Sequence, residues 1–185
     1  IASYNAQEFT GTSELILSHN PNYSLGENFN AGVARAKGKY IKVLPDDDLL
    51  TPNCLQDLFE AAERTNADLV FAQAREFAGN ENQYYIPVVT KISLDELLFE
   101  NFIHGCTTLY RTDMFQQVGG FDETLWTVEE YEFHLRCLSQ GYKFHYEPKI
   151  VVNYRLWDGA KSRQYRQTRM EERNEYIEMI RERFR

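Results

Sequence analysis

Three consecutive carboxylates, Asp46-Asp47-Asp48, are the residues whose types and spacing most directly suggest chemistry in this chain. Carboxylates packed this closely repel one another, and a hard divalent cation is the common partner that offsets the repulsion. Just before them, residues 40–44 read as a buried β-strand. Just after, Thr51-Pro52 reads as a helix N-cap followed by proline at the first helical position. The triplet therefore crowds a tight loop at the C-terminal end of a strand, the edge of an open α/β sheet where ligands usually bind. A solvated acidic turn, its charges favourable to the following helix, is the bland alternative.

The 185 residues suit one globular domain with a sizeable core. An apolar fraction of 43% and an aromatic fraction of 14% are far from those of disordered chains. The net charge of −8 leaves no basic surplus to neutralise a nucleic-acid backbone. A small phosphorylated ligand stays compatible with it if a metal ion stands between carboxylates and phosphate. No apolar run approaches the roughly 20 residues that cross a bilayer, and no signal-peptide pattern is visible. Cys54, Cys106 and Cys137 are odd in number and widely spaced, which suggests a reducing compartment rather than disulfides or a zinc site.

The elements that must position the acidic loop alternate between strand and helix. Residues 1–4 and 15–17 are expected strands, and residues 28–37 a helix ended by Gly38. The strand at 40–44 and a helix over 52–64, with Leu55, Leu58, Phe59 and Ala62 on one face, bracket the loop. Residues 68–74 read as a strand, 76–89 as an excursion turning at Gly79-Asn80, and 94–101 as a short helix. A strand at 107–110 leads to a helix capped by Thr112. Residues 128–140 carry Val128, Tyr131, Leu135 and Leu138 at helical spacing, with Gly141 as the stop. Short strands follow at 144–146 and 150–152. The pattern predicts an α/β fold, a single Rossmann-like domain with a mostly parallel central sheet flanked by helices. The charged tail, 161–185, carries Ile177, Ile180 and Phe184 as a stripe on a surface helix. That stripe would face the body, a neighbour or a second copy in a homo-oligomer.

Several stretches then converge. Leu25-Gly26-Glu27-Asn28-Phe29-Asn30-Ala31-Gly32, Ala36-Lys37-Gly38-Lys39-Tyr40-Ile41 and Leu44-Pro45-Asp46-Asp47-Asp48 together resemble the family 2 glycosyltransferases. So do Val118-Gly119-Gly120-Phe121-Asp122-Glu123 and Glu129-Glu130-Tyr131-Glu132-Phe133-His134-Leu135-Arg136. Ile1-Ala2-Ser3-Tyr4-Asn5 looks like the family's opening strand. Each piece is weak alone, but the ordered series is specific.

The resemblance implies a GT-A fold, a nucleotide-sugar donor (UDP-linked), a glycan or other hydroxyl acceptor, a divalent cation (Mn2+ or Mg2+) and inversion at the anomeric carbon. Carried onto this chain, Asp48 is the metal-facing carboxylate with Asp46 beside it, and Asp46 or Asp47 touches the ribose. Tyr4, Asn5, Asn30 and Arg155 complete the implied nucleotide-sugar site. Glu129-Glu130 takes the place of the family's acidic pair, whose second member is the general base, so Glu130 is the implied base. Without the resemblance the pair reads as two glutamates favouring a helix dipole. Residues 1–160 are then the catalytic domain, with a nucleotide half at about 1–75 and an acceptor half at about 76–160. The expected setting is cytoplasmic, or the cytoplasmic face of a membrane.

Two departures stand out. Family members often carry a metal-ligating histidine where this chain has Trp157, which cannot bind a cation; either the adjacent Asp158 substitutes, or the site relies on Asp48, phosphates and waters, as magnesium sites often do. Between Asn5 and Glu14 there is too little chain for the helix that links the family's first two strands, since a parallel crossover needs roughly a dozen residues. Residues 17–20 also lack the aspartate that commonly binds the base. Either the nucleotide half is shortened or this front has segments left out, and the crossover length favours the second. His104 and Trp126 are acceptor-side candidates, although an ordinary loop and a core tryptophan would explain them too. The other histidines, His19, His134 and His145, read as surface or satisfied. Arg163, Arg166 and Arg169, interleaved with glutamates, read as a solvated helix face. Two rivals from other classes are a nucleotidyltransferase of related fold and a non-catalytic sugar-nucleotide or partner-binding module.

Overall fold

Leu69, Val70, Phe71, Ala72 and Ala74 are fully buried and build the centre of the sheet. A computed structural model describes residues 1–78, 81–87, 89, 91–125, 127–157 and 169–185. The strands are β1 (Tyr40–Lys42), β2 (Leu49–Leu50), β3 (Leu69–Ala78), β4 (Glu81–Tyr85), β5 (Leu109–Arg111) and β6 (Phe144–Arg155). The helices are α1 (Ala2–Asn5), α2 (Leu25–Val33), α3 (Cys54–Thr65), α4 (Leu94–Phe99), α5 (Thr112–Val118), α6 (Glu129–Ser139) and α7 (Met170–Phe184), with a 3-10 turn at Gly105–Thr107. The sheet order is β1-β5-β3-β6-β2, and β4 pairs with β3 off that path.

The α/β class holds, but the expected mostly parallel pairing does not. Among the described residues only β3 and β6 run parallel; β1–β5, β3–β5, β2–β6 and β3–β4 are antiparallel. Two causes are visible. Strand β5 slots antiparallel between β1 and β3, so consecutive strands are not joined by simple crossovers. The two stretches expected to supply parallel strands at the front are not strands: residues 2–4 lie in the short helix α1 with Ile1 as its N-cap, and 15–17 belong to neither a helix nor a strand.

Local signals explain other boundaries. Helix α2 begins earlier than expected because Ser24 and Glu27 form a capping box, each side chain bonding the other's backbone N–H. Thr51 does not cap α3; its hydroxyl donates to the carbonyls of Ile150 and Val151, and Asn53 takes the N-cap position. Thr112 is the first residue of α5, its hydroxyl donating to Gly38 O at 2.6 Å. The two short strands expected at 144–146 and 150–152 are one strand, β6, with its register against β3 shifted on either side of Gln73.

Cys54 and Cys137 are fully buried on α3 and α6, acting there as small hydrophobes. His134 is not a surface residue: it lies fully buried, its Nε2 paired with Tyr110 Oη at 2.9 Å. Helix α7 packs one face on the body, with Ile180 fully buried and Tyr176, Ile177 and Phe184 against the same core cluster. Arg181 ties it down by donating to Tyr131 Oη and to Phe99 O. No helix among the described residues is long and apolar enough to cross a membrane. The turn expected at Gly79-Asn80, and Trp126, Asp158, Arg163 and Arg166, lie outside the described residues.

Candidate active site

The acidic loop links β1 to β2, which are opposite ends of the sheet order. Strands sit about 4.8 Å apart, so residues 43–48 must run across the end of the sheet toward β6. They land there because Leu49 and Leu50 pair with Asn153 and Val152. Beneath this crossing sits the 3-10 turn Gly105–Thr107. Lys42 Nζ holds it from one side, donating to Cys106 O at 2.6 Å and to Val43 O at 2.7 Å. Strand β3 holds it from the other, Ala72 N donating to Thr107 Oγ1.

The three aspartates have separate environments. Asp46 is exposed and Asp47 half-buried, whereas Asp48 is 4% exposed. Asp48 Oδ1 accepts the backbone N–H of Arg155 at 3.1 Å, and Oδ2 is buried with no hydrogen-bond partner. Burial pushes the Asp48 carboxyl up to about 6; the Asp47 charge adds to the rise, while the Arg155 N–H, Lys42 and Cys106 oppose it. Arg155 Nε also donates to Asp47 O, and Trp157 Nε1 donates to Asp47 Oδ2 at 2.9 Å. The segment closing β6 is therefore stitched to the acidic loop.

An orphaned, buried carboxylate oxygen fits a cation ligand. No group of three or more His, Cys, Asp or Glu side chains able to hold a metal occurs among the described residues. The residues present thus suit a cation held by Asp48 and completed by substrate phosphates and water, as is common for magnesium, rather than a protein cage.

Glu130 approaches the same turn from α6. A Cβ added at Gly105 would fall well under 3.0 Å from Cδ and both carboxylate oxygens of Glu130, so the carboxyl group occupies the space a side chain there would need. Cys106, next in sequence, is raised well above its ordinary value by burial, with the charges of Asp48 and Glu130 both contributing. The two carboxyl groups therefore flank one short turn. Glu129, its neighbour, is 4% exposed.

His104 joins this cluster, its ring edge-on to Tyr154 with centroids 4.6 Å apart and its Nδ1 3.1 Å from Cys106 Sγ. Asn30 is occupied elsewhere: its amide pairs with both the N–H and the carbonyl of Phe121 and with Glu123 Oε1, pinning the loop that follows Gly119-Gly120. Tyr4 Oη pairs with Ser13 Oγ, and Asn5 is exposed at the end of α1. A cavity of about 290 Å³ is lined by Leu17, His19, Tyr23, Asn28 and Arg35, beside the stretch that lacks the expected base-binding aspartate. Sequence reading missed Gly105, Cys106 and Lys42; a lone glycine in His104-Gly105-Cys106 carries no signal until Glu130 is seen against it.

The fold is that of the GT-A glycosyltransferases. S. aureus TarS (residues 1–349) in complex with UDP-GlcNAc shares the fold with a TM-score of 0.68 at 14% identity, over 86% of this chain and 54% of that one. The same TarS fragment in complex with UDP gives 0.59 at 15% identity, over 73% and 41%. The model of glycosyl transferase family 2 matches residues 5–119, and the chain belongs to that family. An uncharacterized glycosyltransferase of Rickettsia typhi is 25% identical over 146 residues, 74% of this chain and 46% of the relative. YwdF of Bacillus subtilis, an uncharacterized glycosyltransferase too, is 28% identical over 74% of this chain and 55% of its own length. The chain thus spans about half the length of these curated relatives.

Proposed function

We propose that this chain is the catalytic domain of an inverting, cation-dependent glycosyltransferase. In this reading it moves a sugar from a UDP-linked donor to a hydroxyl of a glycan or related acceptor, in the cytoplasm or at the cytoplasmic face of a membrane. The observation that carries the reading is the common seat of Asp48 and Glu130 on the turn Gly105–Thr107. The TarS complexes with UDP and UDP-GlcNAc support the choice of nucleotide.

Asp48, with Asp46 beside it, would hold Mn2+ or Mg2+, which would supply positive charge to offset that developing on the leaving diphosphate. Asp47 faces the ribose, and Arg155 presents a guanidinium beside the loop for a phosphate oxygen. Glu130 takes the proton of the acceptor hydroxyl as its oxygen attacks the anomeric carbon from the face opposite the diphosphate, which inverts that carbon. His104 lines the sugar side of the turn. The bonds made by Asn30 favour a structural role over donor contact.

One observation favours the non-catalytic alternative: the Trp157 indole already engages the Asp47 carboxylate. Incubation with a panel of nucleotide sugars and Mn2+ separates the two readings by release of nucleoside diphosphate. Asp48→Ala should abolish donor binding and transfer together. Glu130→Gln should leave donor binding intact and lower turnover by roughly 10²- to 10⁴-fold. Wild-type turnover in purified Glu130→Gln rejects the base assignment, and donor binding without any diphosphate release supports the binding module.

A further inference from the structure

Helix α6 starts on a backbone conformation that its N-cap residue resists. Val128 has φ +59 and ψ +19, in the left-handed region, and its side chain provides no cap. The other non-glycine residue with positive φ among the described residues is Asn66, at the C-cap of α3, a residue type and position where that region is ordinary. For a β-branched residue it is a genuine outlier and persists only when its surroundings impose it. Those surroundings are present. Val128 packs against the main core cluster, Thr127 and Leu125 beside it are buried, and its carbonyl accepts the Glu132 N–H at 3.1 Å.

The next two residues are Glu129 and Glu130. An ordinary N-cap adopts extended backbone and enters its helix from another direction. The left-handed turn at Val128 instead brings the first turn of α6 onto Gly105, where the missing side chain leaves room for the Glu130 carboxyl group. Strain at one end and a vacancy at the other thus specify one position for that carboxyl.

We propose that Val128 is a positioning residue, whose left-handed backbone at the head of α6 fixes the Glu130 carboxyl group over Gly105. The catalytic consequence rests on Glu130 being the base; the geometric claim does not.

Val128→Gly adopts positive φ without strain, but it lacks both the β-branch, which narrows the backbone's alternatives, and the core packing that imposes the turn. Val128→Ile keeps both. In Val128→Gly, kcat should fall by about 10- to 100-fold with donor Kd within about twofold of wild type, because a small misplacement of a reacting group carries such a cost. Val128→Ile should restore kcat to near wild type, and Val128→Gly in a Glu130→Gln background should cost nothing further. Independently of activity, the Gly105 amide resonance should shift both in Val128→Gly and in Glu130→Gln. A Gly105 resonance in Val128→Gly that keeps its wild-type position overturns the proposal, whatever the turnover. Wild-type turnover in Glu130→Gln, with the Gly105 resonance moved by Val128→Gly, leaves the positioning claim standing and removes the base reading alone.

Discussion

The backbone N–H of Arg155 donates to Asp48 Oδ1 at 3.1 Å, while the other oxygen of that carboxylate is buried without a partner. One backbone bond orients the group, and its second oxygen lies buried beside Cys106. This half-satisfied state has a pH signature. The Asp48 carboxyl lies at about 6 against an ordinary 3.8, so the folded chain binds this proton more tightly than the unfolded one. Its contribution to stability is complete below the ordinary value and is lost as pH rises through about 6. In cation-free protein, Asp48→Asn should melt above wild type at pH 7.5, with the gap closing as pH falls through about 6. Parallel melting curves across that range would show that Asp48 is not buried in charged form. The half-saturating cation concentration of wild type should rise as pH falls below about 6, because proton and cation compete for the same carboxylate.

Gly105→Ala tests the seat of Glu130. The clash is with the end of a flexible side chain, so the carboxyl group should move rather than the fold collapse. We expect the melting temperature to stay near wild type and donor Kd to be unchanged, with kcat lower by about 10-fold or more. Unaltered kcat would place the reactive position of Glu130 elsewhere.

Trp157 is 49% exposed and contributes its indole N–H to Asp47. Trp157→Phe keeps an aromatic ring and removes that donor. The Kd for UDP, measured by calorimetry with Mn2+ present, should rise about 2- to 5-fold, the cost of an exposed bond worth up to about 1 kcal/mol that orients the ribose-facing Asp47. The melting temperature should barely change, since exposed polar bonds contribute little.

His134 predicts the opposite pH slope from Asp48. Burial pushes this imidazole down to about 3 from 6.5. Its contribution to stability is present above 6.5 and lost as pH falls toward 3. His134→Gln keeps an amide for Tyr110 Oη and removes the titrating ring. Its melting temperature should vary less than that of wild type between pH 6.5 and 4. At neutral pH it should cost about 1–3 kcal/mol through imperfect packing and pairing.

Elements with strong local signals were legible in the sequence. The stripe Tyr131, Leu135, Leu138 became α6, the run 69–71 became the buried centre of β3, and Ile177, Ile180 and Phe184 docked α7. Signals were misread where two local rules competed. Ser24 with Glu27 was a readable capping box that the Asn28 start overlooked, and Thr51-Pro52 looked like a cap while Thr51 was claimed by β6. Strand direction was not local at all. A strand's sequence shows which faces are buried, whereas its parallel or antiparallel pairing depends on which distant strand lies beside it.

From residue types alone came an acidic loop behind a strand, a glutamate pair at the head of a helix and the family they resemble. Residue order suffices for these because propensity, capping and apolar period act over a few neighbours. Only the tertiary structure selected Asp48 from its triplet for burial, through a partner 107 positions away, and laid Glu130 against a glycine no pattern singled out. Those outcomes depend on packing summed over segments far apart in the chain, which set the burial and the close approach that give a carboxylate its chemistry.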